Sequence, residues 1–318
     1  MNQRLLSSAC GAALLACVVP ASADTPFTGV VQLGVGVGST SGGGFLASEV
    51  GDPVNVDLKA KGLWNLGGMF DVQVDVFHER ASNLFDVDGK DSGANLGGTA
   101  HLIHSLENRA RFGVAASLWS NDTLFANGER SEASYGLAAL EGQFFDTNWT
   151  LSGQFGLFDQ IGCNAPCTGT IEDGTYIQGK LRYFVNDNTT LSVATTQMWG
   201  SLNDNDAVFS GKGLSDSTSH AMWRVEAEHR LANSPLSGII AFSHERNETD
   251  FNDVSVDTNT VWLGMRFYLD QPTLRANDRS GAEFETPTFG NSLESAGVTS
   301  VLPPSMLTPT PPSGGGSA

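Results

Sequence analysis

Apolar and polar residues alternate along most of this chain with a period of two. In 256–270, Val261, Leu263, Met265, Phe267 and Leu269 fall on one face, and Trp262, Gly264, Arg266 and Tyr268 on the other. Successive side chains leave opposite sides of an extended backbone, so this period predicts a β-strand. The pattern recurs in 30–37, where Val31, Leu33, Val35 and Val37 alternate with Gln32, Gly34 and Gly36. In 53–64, Val54, Val56, Leu58, Ala60 and Trp64 alternate with Asn55, Asp57, Lys59 and Lys61. In 70–77, Phe70, Val72, Val74 and Val76 alternate with Asp71, Gln73, Asp75 and Phe77. Further strands are predicted over 94–106, 109–119, 132–145, 149–159, 175–185, 189–199, 219–231 and 236–245, and the first-described one over 258–269, twelve in all. The least regular is 132–145, where Ala138, Ala139 and Leu140 blur the two faces.

The links between these strands alternate in length. Long links span 38–53, 80–93, 120–131, 160–174, 200–218 and 246–257; short ones span 65–68, 107–108, 146–148, 186–188 and 232–235. Segregation of loop length by parity is expected of an up-and-down membrane barrel, with short turns at one end and long loops at the other. The faces agree with it. One row is continuously apolar while the opposite row carries ionised groups, which suits side chains facing lipid and a polar lumen. Trp64, Phe70, Phe145, Trp149, Tyr183 and Phe267 gather at the short-turn ends, where a membrane–water boundary favours aromatic rings. The expected fold is therefore all-β: a transmembrane, up-and-down antiparallel β-barrel of about twelve strands, covering 24–270.

The ends of the chain differ from this middle. Residues 1–23 read as a signal peptide, with Arg4, an apolar stretch over 9–19 and Ala21-Ser22-Ala23 before Asp24. Leu14-Leu15-Ala16-Cys17 offers an alternative lipoprotein reading. Residues 271–318 are rich in Pro, Gly and Ser and poor in large apolar groups, which predicts a disordered periplasmic tail.

Composition narrows the function. The chain carries 35 Asp+Glu against 17 Lys+Arg, a net charge of -18, which argues against nucleic-acid binding. After removal of Cys10 and Cys17 with the signal, Cys163 and Cys167 remain and suggest a small-loop disulfide.

The segment Gly264-x-x-Phe267-x-Leu269 resembles the closing-strand signal of Gram-negative outer-membrane β-barrels, porin-like proteins as a class. It departs from that signal in having Trp262 where a polar residue usually stands. The resemblance implies outer-membrane lipid and lipopolysaccharide as surroundings, and recognition of the closing strand by the barrel-insertion machinery. The even number of strands leaves both termini on the periplasmic side.

If the apolar face meets lipid, a charge belt lines the lumen: Lys59, Lys61, Arg109, Arg111, Lys180, Arg182, Arg224, Arg230 and Arg266, with Asp57, Asp71, Asp75, Glu226 and Glu228. Such rings set selectivity in an open channel, or pair across the bore and fill it. The favoured expectation is passive diffusion of small polar solutes, with the bases preferring anions if the bore is open. The alternative is a non-conducting structural or surface-interaction barrel.

Catalysis has little support. Outer-membrane phospholipases and lipid A deacylases carry a His-x-Ser pair on a strand, and none of His78, His101, His104, His220, His229 or His244 has a serine two residues on. His104-Ser105 would point to opposite faces. Gly34-Val35-Gly36-Val37-Gly38 lacks the spacing of a phosphate loop, and Asp86 to Asp91 and Asn203 to Asp206 are incomplete as calcium loops. No cofactor, metal or catalytic residue is expected.

Overall fold

The computed structural model describes residues 27–42, 52–66, 69–82, 92–106, 109–124, 130–164, 171–202, 217–249 and 254–286. The signal segment, Cys167, the two acidic loop motifs and residues 287–318 lie outside them.

Twelve strands form: β1 (Phe27–Gly42), β2 (Val54–Asn65), β3 (Phe70–Ser82), β4 (Ser92–Leu106), β5 (Ala110–Leu124) and β6 (Arg130–Phe145), then β7 (Trp149–Asn164), β8 (Ile171–Asn186), β9 (Thr189–Leu202), β10 (Ser217–Arg230), β11 (Leu236–Thr249) and β12 (Val254–Leu269). Each pairs antiparallel with the next, and β12 pairs with β1 from Gly29↔Leu269 to Gly42↔Val256. The sheet thus closes into a barrel with no free edge, as a wall surrounded by lipid requires. The start of β1 and the end of β12 lie at the short-turn end.

The packing is inverted relative to a water-soluble protein. Leu263 is 64% exposed and Val35 46%, while Asp75 and Gln73 inside the barrel are both at 0%. Along β5, Phe112, Val114 and Leu118 face out and Arg111, Ser117 and Asn121 face in. The irregular stretch in β6 keeps the rule, with Ala138 and Leu140 outward and Ala139 inward beside Glu141. Phe70, Trp149, Tyr183 and Phe267 are exposed near the short turns, and Trp199 toward the other end. Phe145 departs from the expected girdle: its ring lies beneath the guanidinium groups of Arg111 and Arg279 at the lumen mouth.

Most strands run further toward the long-loop end than the sequence pattern predicts, β7 reaching Asn164 and β8 starting at Ile171. In β1 the pairing with β12 continues through Ser39, Thr40 and Ser41, past the end of the apolar alternation at Val37.

The larger correction concerns the tail. Residues 271–286 do not form a disordered appendage; they return into the barrel. Asp270 adopts a positive φ of 63°, a left-handed turn that short polar side chains tolerate, and the chain reverses there. Helix α1 (Leu274–Ser280) follows, capped by Thr273, whose hydroxyl accepts from the Ala276 amide at 3.0 Å. Leu274 packs with Val30, Phe184 and Tyr268 at the mouth. Beyond Gly281 the chain enters the lumen, where Ala282 and Phe284 are buried with Leu63 and Ile103.

Candidate functional site: the charged lumen and its returning segment

The alternation that turns valines outward turns every second residue of twelve strands into one enclosed space. That space has two unlike halves. Toward the β3–β9 side it is filled by Phe77, Trp119, Tyr135, Leu137, Phe158, Tyr176 and Met198. Trp119 and Tyr135 stack at 5.2 Å between centroids. The β1, β2 and β8–β12 side holds a cavity of about 120 Å³ lined by charged groups, floored by Ala282, Glu283, Glu285 and Thr286.

Of the fourteen charged residues predicted to line the lumen, thirteen face inward. Arg109 does not: it sits in the turn before β5 and is exposed, with its carbonyl accepting from the Phe145 amide at 2.8 Å. The turn ends the alternation one residue too early for its side chain to enter.

Part of the belt is neutralised within the wall. Lys59 lies 2.8 Å from Glu79 and 3.5 Å from Asp57, which also accepts from Gln32 at 2.8 Å. Arg224 meets Glu226 at 3.0 Å, and Arg266 meets Glu226 at 3.0 Å and Glu228 at 2.5 Å. Glu228 also accepts from Ser237 and Tyr268. Arg230 donates to the Ser234 carbonyl at 2.8 Å and lies over the Tyr268 ring. Asp71 accepts from Ser105 at 3.2 Å. His104, on the other face, has its ring nitrogen 2.7 Å from the Met69 carbonyl.

The remaining bases are engaged by the returning segment. Lys180 meets Glu285 at 2.6 Å; Arg182 meets Asp278 at 2.6 Å and Glu283 at 2.7 Å. Lys61 donates to the Phe284 carbonyl at 2.7 Å, and Arg111 to the Gly281 carbonyl at 3.0 Å. Three inward glutamines hold the same strip: Gln73 on Phe284 O at 3.0 Å, Gln143 on Glu283 O at 3.1 Å, and Gln154 on Glu285 O at 2.6 Å. Thr286 donates to Asp75 at 2.6 Å. Burial pushes the Glu285 carboxyl up, but Lys180, Lys61 and Arg182 outweigh it and hold it well below the usual carboxylate range. Against the same burial, Arg182 and Arg266 hold Glu283 below its ordinary value. For Asp278 burial prevails over Arg182, and its carboxyl is raised.

The cavity wall supplies Lys59, Lys61, Arg80, Lys180, Arg182, Arg224 and Arg266 against Asp57, Glu79, Glu226 and Glu245, a surplus of three bases. Glu283 and Glu285 reduce that surplus to one.

One buried network has no counterpart in the sequence reading. His101 places Nδ1 2.9 Å from Glu141 and Nε2 3.3 Å from Asp75, with the Phe284 ring 6.0 Å away. Gln154 donates to Glu141 at 2.9 Å and accepts from Tyr176 at 2.6 Å. An imidazole held between two carboxylates is an ion-pair arrangement, unlike the base–nucleophile pair that acyl transfer requires. The inward parity of His101, Glu141, Gln143 and Gln154 was legible in the sequence; their convergence from three strands was not.

No family model matches the chain, and no curated protein matches it by sequence. Its likeness is to solved structures. An outer-membrane channel from Pseudomonas putida F1 aligns over 79% of this chain and 100% of that one, at 15% identity and a TM-score of 0.52. The fold is that of an outer-membrane β-barrel. The P. putida toluene transporter TodX (76% and 89% covered, 8% identity, TM-score 0.40) and the KdgM porin in complex with oligogalacturonate (74% and 98%, 7%, 0.41) are more distant. At these identities the likeness establishes the fold alone.

Proposed function

We propose that the protein is an outer-membrane channel through which small polar solutes diffuse passively, with a preference for anions. It resides in the outer membrane of a Gram-negative bacterium after removal of residues 1–23, with both termini periplasmic and Cys163 joined to Cys167 in an external loop. The observation that carries this reading is the charged cavity inside a closed wall, whose own groups are net basic once the returning segment is set aside. A basic bore enclosed by a low-dielectric wall attracts anions and excludes cations.

A second reading has its own support. Residues 274–286 and the Trp119–Tyr135 cluster fill much of the bore, as expected of a non-conducting barrel that serves through its surface, with its acidic loops contacting lipopolysaccharide. Conductance of the full chain in a planar bilayer separates the two. Channel steps with an anion-selective reversal potential support the first reading; their absence from correctly folded protein removes it. In a conducting protein, Arg111→Ala with Arg182→Ala should shift the reversal potential toward cations, and an unchanged value would sink the anion preference.

A further inference from the structure

Resting on the channel reading, the way the returning segment is held points to a ligand. Lys180 and Arg182 occupy successive inward positions of β8, and their charged ends converge on one oxygen of Glu285, at 2.6 Å and 3.9 Å. Their ion pairs among the described residues go to Glu285, Glu283 and Asp278, carboxylates of the chain itself. Lys61 and Arg111 turn to backbone carbonyls of the same segment. Lys59, Arg224 and Arg266, by contrast, find acids in the wall. Along this strip an extended acidic peptide supplies the carboxylates that pair with Lys180 and Arg182. Arg182 makes charge-assisted contacts with two carboxylates at once, a geometry suited to a ligand with more than one carboxylate.

We infer that Lys61, Lys180 and Arg182 form a binding site for a small di- or tricarboxylate solute, and that Glu283 and Glu285 occupy it as an internal substitute that such a solute displaces. The segment is tethered next to the site, so its effective concentration is high; it closes the bore until enough solute competes. The cavity of about 120 Å³ above Glu283 and Glu285 gives the solute its point of entry to the site.

The full chain, folded in detergent micelles, tests this by amide hydrogen exchange over residues 281–286 with citrate as the probe. Citrate should speed exchange there roughly tenfold or more, as expected when charge-assisted contacts are lost, with no change in the strands. Sodium chloride at equal ionic strength and acetate should leave it unchanged. Glu283→Gln with Glu285→Gln should exchange fast without citrate, and Lys180→Gln should weaken the citrate response. Unchanged exchange with citrate, or an equal response to sodium chloride, overturns the site. Because exchange does not depend on conductance, a barrel that never conducts yet releases the segment to citrate refutes the channel alone. One that conducts without releasing it refutes the site alone.

Discussion

The ammonium of Lys180 on β8 lies 2.6 Å from the carboxylate of Glu285, a residue 105 positions later that reaches it only after β12 has closed the wall. Both groups are largely shielded from water, so reversing one should be costly and reversing both should not. Lys180→Glu alone should loosen residues 281–286, and adding Glu285→Lys should restore them. A double-mutant cycle on the exchange rates should give a coupling of about 1.5–3 kcal/mol, the range for hydrogen bonds to charged groups. A coupling near zero would show that the pair does not hold the segment.

Docking of the segment should also depend on pH. Glu283 and Glu285 are held below their free value of 4.5 when docked, so their contribution is present above that pH and lost as pH falls through the docked values. Asp278 shifts upward and acts in the opposite sense, with one group against two. The segment should hold firmly near neutrality and loosen below about pH 4. Conductance or exchange measured across that range checks the direction; tightening on acidification would contradict it.

Leu263 tests the lipid-facing wall. It stands near the middle of β12, 64% exposed, between Val261 and Met265 on the same face. Arginine there should cost about 2–4 kcal/mol of folding into vesicles, whereas arginine at an outward site near the strand ends should cost about 0–1 kcal/mol. Equal costs at the two depths would contradict a bilayer around this face.

Gly97 tests the packed half of the bore. A Cβ there would stand 2.5 Å from the Trp119 Cβ, 2.6 Å from the Phe77 ring and 2.7 Å from the Leu118 carbonyl. Gly97→Val should destabilise the barrel by about 1–3 kcal/mol, read as a lower temperature for loss of the compact band on unboiled gels. Gly238, with nothing within 4 Å, should accept alanine at far less cost.

The wall was legible because alternation is local. Val56 beside Asp57, or Val74 beside Asp75, declares its face from its neighbours alone, and even Ala139 falls into line once Glu141 fixes the parity. Strand length was harder to read, because at the end of β1, Ser39, Thr40 and Ser41 stay paired with β12 where no apolar residue reports it. Arg109 misled because a turn, unlike a strand, does not propagate parity. The returning segment stayed hidden for another reason. Averaged with 287–318, residues 271–286 look featureless, yet Pro272 and Pro287 bracket a stretch carrying Asp278, Glu283 and Glu285. Its partners lie on β2, β5 and β8, and complementarity across such distances leaves no local periodicity.

The left-handed kink at Asp270 also has a bearing on biogenesis. Everything that occupies the bore from that point is spelled after the last stave, so the cask can be hooped before its bung is driven. Wall and stopper belong to one chain, and the stopper hangs from the last stave on its own short leash.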